Sequence, residues 1–322
     1  MTLFEKFGQL LVAVAIFAAV MGVVLFVADR ARGRRADLWQ SIAFVAPAIL
    51  LLLVGLIYPA LRTAYQSFFD ATSVGFVGVE NYMKIFTQPE LLLVLRNTFV
   101  WVILTPIVAT AIGLIYAVLV DGSRVEAFAK SLVFLPMAIS FVGASIIWKF
   151  IYEYRPDQQG IQQIGLANQF LVWLGIEPVQ FLLLTPWNTL FLIIVMIWIQ
   201  AGFAMTILSA AIKAIPDDIT EAANLDGVGG LRMFWYITLP SIRPALIVVV
   251  TTISIGVLKV FDIVRTMTGG QYQTSVVANE FYTQSFRLFD FGTGAALAMV
   301  LFVLVVPIVI YNVRQMRKVD AR

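Results

Sequence analysis

Seven apolar runs, roughly 9–28, 41–60, 98–120, 131–151, 187–212, 242–265 and 290–312, punctuate the chain between shorter polar intervals. A bilayer-crossing helix needs about 20 mostly apolar residues, and each run meets that length. The pattern predicts an all-α, polytopic membrane protein with about seven transmembrane helices.

Basic residues set the direction. Arg30, Arg32, Arg34 and Arg35 follow the first run at once, and Arg314, Arg317, Lys318 and Arg322 follow the last. Cytoplasmic segments carry the excess of Arg and Lys, so both clusters belong inside. Segments 29–40, 121–130, 213–241 and 313–322 are then cytoplasmic. The N-terminus is expected outside and the C-terminus in the cytoplasm. The longer outer connections are 67–96 and 152–186. Within the second, Phe170 to Leu174 is apolar but too short to span and predicts an interfacial helix. Ala13, Ala15, Ala18 and Ala19 offer weak signal-peptide cleavage sites. The full length of the run and the basic block behind it favour a retained span. The expected division is an N-terminal helix with its basic cytoplasmic linker, 1–40, and one membrane domain, 41–322.

Composition narrows the chemistry. The chain of 322 residues is 61% hydrophobic and 13% charged, with a mean hydropathy of +0.91. A soluble domain carries roughly a quarter charged residues, so the solvent here is lipid. There is no Cys and no His, which removes thiolate chemistry and the commonest metal ligand. No metal site and no catalytic residue are expected. A net charge of +3 gives no reason to expect a nucleic-acid partner. The last run holds no lysine for a retinal Schiff base, and acids within spans are too few for proton coupling. No G-x-x-x-x-G-K-[ST] loop is present, so any ATP dependence must come from another chain.

The most informative stretch is 221–240, EAANLDGVGGLRMFWYITLP. Pro216 stops the preceding helix because it lacks a backbone donor. Asp217, Asp218 and Thr220 suit a helix start, and Glu221 to Leu225 continues it. Gly227, Gly229 and Gly230 permit a sharp turn. A second helix, Leu231 to Ile237, is expected to end before Pro240. Ala222 and Ala223 leave room for a partner surface. Glu221 offers a carboxylate to a partner's Arg, and Leu225, Phe234 and Trp235 offer apolar contact.

Glu221-Ala222-Ala223, Gly227 and the Ile237-x-Leu239-Pro240 ending together resemble the EAA loop of ATP-binding-cassette (ABC) importer permeases. Phe76 to Tyr82, Asn97-Thr98, Leu135-Pro136 with Trp148, Phe261-Asp262 and Thr268-Gly269-Gly270 resemble the carbohydrate branch of that family. Gln271 stands where these permeases usually have proline, which predicts a looser outer turn. Gly269 to Thr274 looks most like α-glucoside permeases. The resemblance implies that Glu221, Ala222, Ala223, Gly227, Ile237, Leu239 and Pro240 couple the pore to an ATPase dimer, which binds the ATP and magnesium. It also implies a second, different permease subunit, an extracytoplasmic solute-binding protein and a place in the bacterial inner membrane. This chain itself would hold no cofactor. The solute would be an α-glucoside or related oligosaccharide, with glycerol phosphate as the alternative.

Polar and aromatic residues inside spans are the candidates for the solute path. They are Trp198, Gln200 and Phe203 in the fifth run and Lys259, Phe261 and Asp262 in the sixth. On one continuous helix, Lys259 and Asp262 lie at i, i+3 and would pair. Gln200 is expected to bond a neighbouring helix. Trp187 and Asn188 fit an interfacial belt.

Overall fold

The computed structural model describes residues 3–30, 36–156 and 163–320. Contacts divide the chain into two compact units, 1–65 and 66–322, so the first unit takes in the second span as well as the first. It contains α1 (Leu3–Arg30), α2 (Ala36–Leu52) and α3 (Tyr58–Gln66), with a π turn at Leu53–Ile57 joining the last two. Pro59 explains the π turn. A proline has no N–H and its ring clashes with the carbonyl four residues back. Widening the turn by one residue relieves that clash, and Tyr58 N–H bonds Leu53 O across it.

Among the described residues of the second unit, helices alternate with irregular connections, and one isolated β-bridge joins Phe69 and Phe76. In order it holds α4 (Glu80–Thr87), α5 (Pro89–Val120), α6 (Glu126–Phe134), α7 (Phe141–Ile151), α8 (Leu166–Trp173), α9 (Asn188–Lys213) and α10 (Asp217–Leu225). It continues with α11 (Gly230–Met233), α12 (Leu239–Ser241), α13 (Arg243–Leu258), α14 (Asp262–Met267), α15 (Val277–Phe286) and α16 (Phe291–Asp320). Among the described residues, five helices are long and apolar enough to span, and two bent pairs bring the number to seven. The fourth expected run is one such pair, turned by 105° between α6 and α7. Pro136 sits in the connecting 3-10 turn, and the Ser140 hydroxyl accepts the Gly143 N–H at 3.1 Å to start α7. The segment 166–173 is a two-turn helix, too short to span, as its length required.

The core is built around α5 and α9. Ala109, Gly113 and Ala117 line one face of α5 at four-residue spacing, and all are buried. Small residues at this spacing let helices in lipid approach closely. A Cβ on Gly113 would lie 2.6 Å from both the Ala204 Cβ and the Met205 nitrogen. Elsewhere on α9, Gly202 lies against the Val133–Phe134 backbone, where a Cβ would collide. A second cluster joins Ile85, Leu91 and Val94 to Val277, Ala296 and Leu297.

Asparagines fasten the outer connections. Asn81 Nδ2 donates to Ser67 O (3.0 Å) and Phe69 O (2.7 Å). Asn168 accepts from Val179 N–H at 2.7 Å and donates to Glu153 O at 2.8 Å. Each closes polar backbone that lipid or a dry interior could not satisfy.

Gly113→Val should force the α5–α9 pair apart and cost about 1–3 kcal/mol as an overpacked site. Gly256→Ala, with nothing within 4 Å of its Cβ position, should be neutral. Thermal unfolding of the two variants in mild detergent checks the contrast; equal melting would remove Gly113 from the packing argument.

Candidate functional site

The interval 213–241 folds as two short helices around a glycine turn. Lys213 ends α9, and Pro216, with extended backbone (φ −57°, ψ 135°), caps α10. Asp217 and Asp218 fill the first turn of α10, where the helix dipole favours negative charge. The far end explains the spacing between the Glu-Ala-Ala triplet and Gly227. Gly227 has φ +75°, and its N–H bonds Asn224 O at 3.0 Å. The next N–H, of Val228, reaches back to Ala223 O at 3.0 Å. This is a Schellman cap, whose left-handed residue favours glycine. Gly227 therefore sits where the helix that begins at Asp217 must stop.

The return helix departs from expectation. It does not end before Pro240: α11 runs through a π turn, Phe234–Thr238, into α12. The widened turn accommodates Pro240 as the earlier one accommodates Pro59, with Leu239 N–H bonding Phe234 O. The chain then bends by 68° before α13. Buried Ile242 marks the bend, and Pro244 starts the next helix.

The loop's surface is apolar where a solvated loop would be polar. Leu225 is 88% exposed, and Leu231, Trp235 and Tyr236 are also exposed. Glu221 and Ala222 lie open beside them, whereas Ala223 is buried. Ile237 and Leu239 are half-buried and Pro240 is exposed. The structure thus gathers Glu221, Ala222, Ala223 and Gly227 on one helix and its cap, and Ile237, Leu239 and Pro240 on the returning arm.

A charge cluster lies beside Lys213. Glu126 Oε1 accepts from Lys130 Nζ and Lys213 Nζ, both at 2.5 Å, and Oε2 accepts Gly122 N–H at 3.0 Å. Asp121 lies 3.6 Å from both lysines, and Lys130 also donates to Ser209 Oγ. The hydrogen bonds from Lys130, then Lys213, then Gly122 lower the Glu126 carboxyl to about 2. The bond to Glu126 raises Lys213 above the ordinary ammonium range. Because the folded Glu126 is the stronger acid, its stabilising effect is complete above its ordinary value of 4.5 and lost as pH falls toward about 2.

The candidate solute-path residues fall into separate settings. Trp198 is half-buried and meets Trp148 edge-on at 5.8 Å. Phe203 packs against the main core, and Gln200 is half-buried nearby on the same helix. The sixth run is not one continuous helix, which corrects the expected Lys259–Asp262 pair. α13 stops at Leu258, and α14 begins at Asp262. Buried Leu258 and Ile263 would lie about 140° apart on a straight helix; the break lets both face the core. Among the described residues, ion pairs form only in the cluster above and between Lys84 and Glu80. Phe261 instead packs on Tyr282 at 5.2 Å, and Arg265 lies over the same ring.

The outer turn is also firmer than Gln271 suggested. Tyr272 and Gln273 both have positive φ, +54° and +62°. Asn97 Nδ2 donates to Gln273 O (2.7 Å) and Ser275 O (3.0 Å), and Asn188 Nδ2 to Tyr272 O (2.7 Å). Thr98 Oγ1 accepts Val277 N–H at 2.9 Å. Asn188 is thus a buried clamp rather than part of an exposed belt. Sequence reading missed the charge cluster and the Ala109-Gly113-Ala117 face. The four-residue spacing could have revealed the second; the first joins positions 79 and 87 residues apart.

This arrangement is a membrane-embedded helical bundle with an exposed, partly apolar loop at 213–241. The model of the family described as "Binding-protein-dependent transport system inner membrane component" matches residues 109–318. The chain is 50% identical over 274 residues to the osmoprotective compounds uptake permease protein GgtC of Synechocystis sp., covering 85% of this chain and 98% of that one. It is 47% identical over 272 residues to the alpha-glucoside transport system permease protein AglF of Rhizobium meliloti, covering 84% and 80%. Its fold matches a bacterial ABC transporter involved in alginate import at a TM-score of 0.74 and 23% identity, covering 88% of this chain and 99% of that one. The chain belongs to the binding-protein-dependent inner-membrane transport components, the permease subunits of ABC importers. It is a multi-pass inner-membrane transport subunit, not an enzyme, of the kind that works with an ATPase and a solute-binding protein.

Asn97→Ala should leave the buried Ser275 carbonyl and the part-buried Gln273 carbonyl without their donor and cost about 1–3 kcal/mol, with faster proteolysis at 271–274. An unchanged cleavage rate would mean that Asn97 does not hold the turn. The melting difference between wild type and Glu126→Gln should stay flat from about pH 5.5 to 8 and shrink only below about pH 4.5.

Proposed function

We propose that this chain forms one half of the pore of an ATP-driven sugar importer, with an α-glucoside or related oligosaccharide as solute. The observation that carries the coupling role is the α10–Gly227–α11 turn, which holds Glu221 and exposed apolar side chains away from the bundle. An ATPase surface would bury Leu225, Leu231 and Trp235 and offer a base to Glu221. Relatives named for α-glucoside, trehalose/maltose and lactose transport support the sugar class.

The mechanism follows from differential binding. An extracytoplasmic binding protein delivers the solute to the outer mouth. ATP and magnesium, held by the ATPase dimer, favour its closed state. The loop 213–241 carries that movement into α9 and α13, and the pore opens outward. Hydrolysis removes the differential affinity and the pore resets. The other half of the pore is a different permease. The N-terminus lies outside, and the loop and C-terminus lie in the cytoplasm.

Glu221→Ala and Gly227→Pro test this reading. Proline cannot adopt the positive φ that Gly227 holds, so the cap must break. Both variants should reach the membrane and lower uptake of labelled trehalose, maltose or sucrose by at least about tenfold. Normal uptake by both would sink the coupling role. Uptake of labelled glycerol phosphate in place of the sugars would overturn the solute class and leave the coupling role standing.

A further inference from the structure

The two arms of the 213–241 loop are mounted differently. On the leading side, Lys213 stands at the last turn of α9, just ahead of Pro216 and α10. Its ammonium group is bound by Glu126, which also holds Lys130 and the Gly122 N–H. Asp121 at the end of α5 faces both ammonium groups, and Ser209 of α9 accepts from Lys130. Four charged groups and one hydroxyl thus tie the α5–α6 turn to the root of the loop. The two carboxylates and two ammonium groups balance, so no uncompensated charge is left. On the returning side, the chain bends by 68° at Ile242, and no ion pair holds Arg243 among the described residues.

We infer that Glu126 is a positioning residue for energy coupling: it fixes the root of the loop to α5, α6 and α9 together, while the return pivots at Ile242. The inference rests on the coupling role proposed for 213–241. An isolated exposed ion pair holds little, but a carboxylate shared by two ammonium groups and a backbone N–H is a geometrically defined joint. The joint adds to close packing. α6 meets α9 at Gly202 and α5 meets it at Gly113, each so closely that a Cβ would collide. A displacement of α10 therefore reaches these three helices at once, and the bend at Ile242 absorbs the remaining rotation. Without the Glu126 carboxylate, Lys213 keeps only the longer pairing with Asp121 at 3.6 Å, and the joint loosens. Movement of α10 is then spent in the Ala214–Pro216 connection.

The test uses the complete importer in proteoliposomes: both permeases, the ATPase and the binding protein. Uptake of labelled trehalose, maltose or sucrose is measured beside ATP hydrolysis in the same vesicles. Glu126→Gln keeps the shape and removes the charge. The variant complex should assemble in normal amount, with solute moved per ATP lowered at least about tenfold. Glu126→Asp should recover most of the ratio. Lys213→Met, made at the half-exposed end of the same bond, should reproduce Glu126→Gln. An unchanged ratio in Glu126→Gln and Lys213→Met would overturn the inference. So would a reduced amount of complex with a normal ratio, or failure of both variants to assemble, since the bond would then serve folding. Glu221→Ala in the same vesicles separates the two readings. Normal uptake by it and by Gly227→Pro would remove the coupling role altogether; their loss of uptake, beside intact ratios at Glu126 and Lys213, would remove only the joint.

Discussion

Lipid offers no hydrogen bonds, so every backbone group at membrane depth must be satisfied by the protein itself. The architecture follows from this constraint. Where the chain stays helical, the ladder satisfies itself. Where it leaves the helix, a specific side chain or a widened turn takes over. Pro59 and Pro240 are carried by π turns. Ser140 starts α7 after the bend at Pro136. Asn97 and Asn188 satisfy the carbonyls of a turn that bends through two non-glycine residues at positive φ. The irregular segments are therefore shaped by the protein around them.

Lipid also removes the usual reason for apolar faces to seek one another, so close packing must do that work. Gly113 and Gly202 bring α5 and α6 against α9 closely enough that a methyl group would not fit. α9 is the most buried of the five long spanning helices among the described residues, and it leads directly into the 213–241 loop. The charge cluster at Glu126 adds a polar joint at the end of α9 where apolar packing gives out.

Most of the span pattern was legible because transmembrane length and polarity are local properties. The seven runs, the short helix at 166–173 and the turn at Gly227 needed only hydropathy, a glycine and a proline. The loop's shape was legible for another reason. Its spacing follows from helix length and cap geometry, and both are written in neighbouring residues. The break between Leu258 and Asp262 was not legible, because the run is long and apolar enough on average to read as one continuous helix. Nothing local shows that Leu258 and Ile263 must face the same core.

The sequence by itself determined that this chain lives in lipid, crosses about seven times and carries a glycine-capped loop at 213–241, since each of these depends on residues close together in the chain. Tertiary structure alone decided which polar residues meet. It separated Lys259 from Asp262, joined Glu126 to Lys213, and turned Asn188 from a surface residue into a clamp on Tyr272. Hydrogen bonds and ion pairs act only at contact distance. Contacts between residues far apart in sequence arise from how the helices pack, which hydropathy does not encode.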